Sequence, residues 1–182
     1  MTTFELIAQA VGIVAMSFNI LSFQQKTHKR VITFQLFGSL LFALNFFMLD
    51  AAVGAILNLV GAMRAIVFMN REKFRANHIG WLIFFTALYL SSYVLTFTVF
   101  GKEMTAFNAI IELLPVAAMT ATTVSFRLQN ARAIRLFGLF SSPSWLIYNI
   151  VNFAIGAIIC EVLSLCSIVL GLIRYDLKPR RV

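Results

Sequence analysis

The sequence predicts an all-α integral membrane protein with seven transmembrane helices, arranged as three, one and three. Three observations predict it. Apolar residues fill 60% of the 182 positions and charged residues 12%, which leaves too little polar surface to coat a soluble globule. Seven apolar stretches are long enough, at about 1.5 Å per helical residue, to approach or cross a hydrocarbon core of roughly 30 Å. Finally, short segments recur 102 or 103 residues later: Gly54-Ala55-Ile56 as Gly156-Ala157-Ile158, Ile66-Val67 as Ile168-Val169, Ser22-Phe23 as Ser125-Phe126, and Arg30-Val31-Ile32 as Arg132-Ala133-Ile134.

Residues 4–23 make the first predicted span, and Lys26, Lys29 and Arg30 follow it. The second, 32–49, is separated from the third, 52–69, only by Asp50-Ala51, so the two must be antiparallel neighbours. Arg71, Lys73 and Arg75 follow the third span. Residues 80–100 form a linker helix that ends before Lys102. The fifth span, 105–126, is followed by Arg127, Arg132 and Arg135, and the sixth, 136–153, turns tightly through Ala154-Ile155-Gly156 into the seventh, 157–173. A basic tail, 174–182, carries Arg174, Lys178, Arg180 and Arg181. The chain thus divides into a first repeat at 4–69, the linker at 80–100, a second repeat at 105–173 and the tail.

Lys and Arg that flank spans are retained in the cytoplasm. An N-terminus outside and a C-terminus in the cytoplasm places every basic residue except Lys102 on the inner side, provided that Arg64 snorkels from the end of the third span. The formal charge of +8 is therefore a topology signal and a set of anionic-lipid contacts on cytoplasmic loops, not a nucleic-acid surface. No cleaved signal peptide is predicted, because Met1-Thr2-Thr3-Phe4-Glu5 has no basic region. Cys160 and Cys166 read as small packing residues rather than a disulfide or a metal site, and His28 and His78 as interfacial polar residues. Trp81 reads as an interfacial anchor.

With one helix between them, the two triplets share an orientation. Parallel repeats of this kind are related by an axis along the membrane normal, and carriers place solute near their interface. Glu112-Leu113-Leu114-Pro115-Val116, the segment from Ser141 to Asn149 with Trp145 inside it, and Glu161 resemble the small bacterial inner-membrane proteins of the YgjV type, over nearly the whole chain. The three-one-three plan is similar to the SWEET and PQ-loop transporter superfamily, which implies a facilitator of small polar solutes in the inner membrane. The resemblance further implies that Asn58, followed by Gly61, faces a cavity, with Cys160 or Glu161 as its counterpart. The superfamily's proline-glutamine motif would fall at Gln24-Gln25 and again at Arg127-Leu128, without proline in either copy. Its hinge prolines are matched only in the second half, by Pro115 and Pro143, with Gly12 and Ser39 opposite. Nicotinamide-riboside carriers use several tryptophans in their sixth helix, where this chain has one.

The polar residues inside the spans converge without reference to any family. An offset of 103 residues pairs Gln9 with Glu112 and Asn58 with Glu161, all roughly 6 to 10 Å below the outer boundary. Asn45 and Asn149 join them from the second helix of each half, with Asn152 one turn further out. A carboxylate inside a membrane costs several kcal/mol, roughly, so Glu112 and Glu161 are expected to face water or a partner, with the amides as partners. They would line an outward-open cavity and attract a cation or carry a coupling proton; the plainer alternative is a pair of hydrogen bonds across helices. Trp145, beside Pro143 and the small serines, is a candidate stacking plate for a ring-bearing solute, set against the filler role of most of the 19 Phe.

The substrate-binding candidates are therefore Asn58, Glu161, Glu112, Gln9, Asn45, Asn149 and Trp145. No catalytic residue, metal site or cofactor is predicted, because no Ser, His and Asp share a depth and no His or Cys cluster exists. The expected function is carriage of a small polar solute; the alternative is a non-transporting membrane receptor or assembly protein of the same fold. Seven helices complete a two-half unit, which leaves homo-oligomer formation open.

Overall fold

The computed structural model describes residues 3–48, 52–152 and 155–177. Among them every element is helical: α1 (Thr3–Ser22), α2 (His28–Met48), α3 (Ala52–Met69), the single turn α4 (Arg71–Phe74), α5 (Ile79–Thr98), α6 (Ala106–Arg127), α7 (Ala131–Val151) and α8 (Ile155–Gly171), which continues as wider π-type turns through Leu172–Leu177. The seven long helices fall on the seven predicted apolar stretches. The Asp50-Ala51 turn, most of the Ala154-Ile155-Gly156 turn and the last residues of the basic tail lie outside the described residues.

Boundaries differ where polar caps extend a helix beyond its apolar run. The span predicted to start at 32 begins at His28, where the Thr27 hydroxyl accepts from the Arg30 amide at 3.4 Å. The span predicted to start at 136 begins at Ala131, where the Asn130 side chain accepts from the Arg132 amide at 2.9 Å. A capped first turn tolerates charge because its orphan N–H groups are satisfied.

The surface is inverted relative to a soluble globule. Leu, Ile, Phe and Val side chains are exposed along all seven long helices, whereas Arg135, Ser22, Thr123, Ser125 and Ser164 are buried at 0–1% exposure. So broad an apolar surface fits lipid rather than water. Among the described residues, His28–Met48, Ile79–Thr98, Ala106–Arg127 and Gly156–Leu177 are long and apolar enough to cross a membrane, and Leu6–Ser22 and Ala55–Met69 are shorter apolar helices. Helix α7 has the length but is more polar, with Arg132 and Arg135 in its first turns and Ser141, Ser142 and Ser144 in its middle.

Each triplet packs in chain order, α1 on α2 on α3 and α6 on α7 on α8, while α5 lies against α6. The halves meet through α1 with α8, α3 with α6 and α2 with α7. Those pairings fit a pseudo-twofold axis: exchanging the halves turns α1–α8 into α6–α3 and leaves α2–α7 unchanged. Local geometry repeats with the same offset, since Thr3 and Ala106, His28 and Ala131, and Ala52 and Ile155 open equivalent helices 103 residues apart. Ser22 and Ser125, both fully buried, each bond the carbonyl three residues back, at 2.6 and 2.7 Å. The first two helices of each half cross at equivalent points. A Cβ on Gly38 would lie 3.3 Å from the Ala15 carbonyl, and at the corresponding crossing Ser141 donates to the Ala118 carbonyl at 3.0 Å.

The linker helix is fixed by aromatic stacking at helical spacing. Trp81, Phe85 and Tyr89 stack with centroids 6.0 and 6.5 Å apart, and Phe85 meets Phe68 of α3. Trp81 also donates its indole N–H to the Phe74 carbonyl at 2.9 Å, which makes it part of this packing as well as an anchor.

Candidate functional site

The seven long helices alternate in direction, so the bundle has one end that carries the basic loops and an opposite, far end. The predicted polar residues sit toward the far end, and they divide by helix neighbour. Asn45, 7% exposed, donates to the Ala8 carbonyl at 2.7 Å, and a Cβ on Gly12 would lie 3.1 Å from its amide. Its amide therefore tightens α1 against α2 inside one half. Gln9 is exposed, Asn149 is buried, and Asn152 bonds the Tyr148 carbonyl of its own turn. Asn58 is half-buried.

The two acids have different surroundings. Glu112 is 8% exposed and pairs with Lys102 at 2.6 Å, so the cation that follows the linker helix, rather than an amide, meets this carboxylate. Glu161 is half-buried on α8 near Ser142 of α7, and the adjacent Cys160 is buried near Asn19 of α1. Trp145 is half-buried, with its ring 5.8 Å from that of Tyr148 and packed on the hydrophobic core. Cys160 and Cys166 are free thiols, Cys166 exposed.

At the basic end the halves are locked by two matching contacts. Phe23 and Phe126, equivalent by the 103-residue offset, sit at the C-terminal ends of α1 and α6, where carbonyl groups lack helical partners and the dipole favours cations. His28 of the first half donates to the Phe126 carbonyl at 2.8 Å. Arg135 of the second half donates to the Phe23 carbonyl at 2.8 Å and also to the carbonyl of Gln25. Arg135 is 1% exposed, its charge is met by Asp176 at 2.7 Å, and its guanidinium lies over the Tyr175 ring at 5.2 Å. Above this lock, Gln24 donates to the Ser167 carbonyl at 2.6 Å and Ser167 to that of Ile20 at 2.7 Å, joining α1 to α8. The equivalent α3–α6 seam holds Arg64, which donates to the Met119 carbonyl and the Tyr89 hydroxyl, both at 3.2 Å.

Three sequence readings change here. Arg64 does not snorkel: it is 8% exposed and turned inward over Phe126 at 5.0 Å. His28 is a contact between halves rather than a plain interfacial residue. Arg135, read only as a flanking charge, is buried at the centre of the lock. A basic residue inside a helix that continues past it was the available signal, but its partners lie 110 and 112 residues away.

A surface concavity lies at the basic end, around Arg71, Asn77 and Gln129, and none of the seven predicted solute contacts lines it. Among the described residues no group of His, Cys, Asp and Glu could hold a metal ion.

The chain belongs to the Imp-YgjV family, described as bacterial inner membrane protein, whose family model matches residues 6–178. No curated protein and no solved structure matches it.

Proposed function

We propose that this inner-membrane protein is a seven-helix facilitator of a small polar solute, with its N-terminus outside and its C-terminus in the cytoplasm. The observation that carries the reading is the asymmetry of the seam between the halves. Hydrogen bonds that join them, from Ser167 to Ile20, Gln24 to Ser167, Arg135 to Phe23, His28 to Phe126 and Arg64 to Met119, gather toward the basic end. Asn58, Glu161 and Glu112 lie nearer the far end than any of these bonds. Two halves bonded to each other toward one end fit the outward-open arrangement expected of parallel-repeat carriers.

In this reading Glu161 is the solute-facing acid, while Lys102 neutralises Glu112 and closes its side of the site. Release inward requires the lock at Arg135, His28 and Gln24 to open. The alternative is a non-transporting membrane receptor or assembly protein of the same fold. A panel of small metabolites, tested for thermal stabilisation of the purified protein, separates the two. A hit abolished by Asn58→Ala and Glu161→Gln supports carriage; a hit indifferent to both removes the site.

A further inference from the structure

We propose that the turn around α4 forms a binding site for a phosphodiester anion, with Arg71 and Arg75 as its principal contacts. An open concavity of about 790 Å³ lies there, lined by Arg71, Glu72, Arg75, Asn77, His78 and Gln129. It presents two guanidinium groups, an imidazole and two amides within one recess, a donor set suited to several phosphate oxygens at once. Arg127 borders it and holds its wall by donating twice to the Asn77 carbonyl, at 3.0 and 3.2 Å.

One atom of this recess lacks a partner. Arg71 donates through Nη2 to the Asn77 side chain at 2.5 Å, but its Nη1 is buried with no hydrogen bond. A buried, unpaired guanidinium nitrogen is costly, so a small rotation of the Arg71 side chain that brings Nη1 to an anion seated in the concavity would be favoured. The backbone points the same way. Arg75 and Gln129, both in the lining, have φ of 48° and 56°, the left-handed region that helix ends usually give to glycine. Residues with long polar side chains thus stand at two strained caps, and both side chains face one recess.

Glu72 shares the recess and sets the charge of the ligand. With two arginines against one carboxylate, a singly charged phosphodiester is better matched than a phosphate dianion, and Glu72 is placed to accept from a hydroxyl or amine on it. The headgroup of an anionic glycerophospholipid has that chemistry, as does a soluble phosphodiester. The basic loops sit at one end of the bundle, where lipid phosphates would lie if that end meets the bilayer surface.

The protein is melted in detergent with glycerophosphoglycerol against equal ionic strength of chloride, and in nanodiscs of phosphatidylcholine with or without phosphatidylglycerol. Saturable stabilisation by glycerophosphoglycerol supports the site with a soluble source, and stabilisation only by phosphatidylglycerol supports it with a lipid source. Arg71→Gln should weaken either effect about tenfold, the loss of a charge-assisted hydrogen bond. Arg75→Asn, which keeps a residue tolerated at that φ, should do the same and stands alone if the Arg71 variant does not fold. No stabilisation in either medium, or an equal loss in Arg132→Gln at a different loop, overturns the proposal.

Discussion

Replacing Arg135 with Met tests the lock between the halves. The side chain is 1% exposed and holds three acceptors: the Phe23 carbonyl, the Gln25 carbonyl and the Asp176 carboxylate. Methionine keeps much of the apolar stem but leaves Asp176, 12% exposed, without its cation and two helix-end carbonyls without a donor. Breaking a buried ion pair from one side costs about 3–5 kcal/mol. For a chain of this size that is a fall in Tm of roughly 6–20 °C, at about 2–4 °C per kcal/mol. Asp176→Asn leaves both carbonyl bonds in place and should cost less, about 1–3 kcal/mol. The double variant should then be little worse than Arg135→Met alone, with a coupling of about 1–3 kcal/mol. Melting curves in one detergent, followed by intrinsic fluorescence, give all four corners of the cycle. An Arg135→Met variant that melts within about 2 °C of the parent protein, or costs that simply add, would mean that this ion pair does not hold the halves together.

Gly171→Ala should destabilise by about 1–3 kcal/mol, because its Cβ would lie 2.5 Å from the Phe23 carbonyl and 2.8 Å from Arg135 Nε, whereas Gly156→Ala, with nothing within 4 Å, serves as the neutral control in the same melt. Lys102→Met strands the buried Glu112 carboxylate and should cost about 1–3 kcal/mol; adding Glu112→Gln should recover part of that loss, and no recovery would mean that the pair is not what holds α6 there. Asn45→Ala should lower Tm through loss of the bond to the Ala8 carbonyl while leaving any solute-dependent stabilisation intact; loss of solute response instead would return Asn45 to the binding site. If solute flux in proteoliposomes is proton-coupled through Glu161, then Glu161→Gln should flatten its pH dependence, and an unchanged pH series removes coupling at that residue.

Helix positions were legible in the sequence because a membrane span leaves a long apolar record at a known rise per residue. The starts of α2 and α7 were less so, since charge at Lys29, Arg30, Arg132 and Arg135 marks an interface in hydropathy, while Thr27 and Asn130 carry the helix through it. The repeat was visible in short matches, but its structural content lies in equivalent contacts such as Gly38 against Ala15 and Ser141 against Ala118, which no residue identity reveals. Glu112 was expected to find its partner among the amides, whereas it pairs with Lys102. Its pairing with Lys102 was missed because Lys102 was read for topology alone. Arg135 was hidden for the same reason: a positive charge beside a span satisfies a topological rule whether it points to lipid headgroups or into the protein.

A carrier must expose its polar site to each side of the membrane in turn, and a cysteine at position 58 tests this most directly. Asn58→Cys is placed in a Cys160→Ala, Cys166→Ala background and exposed to a small membrane-impermeant thiol reagent, in intact cells and in inverted vesicles. A carrier whose lock opens predicts labelling from both faces. Labelling from one face alone, or from neither, would contradict it.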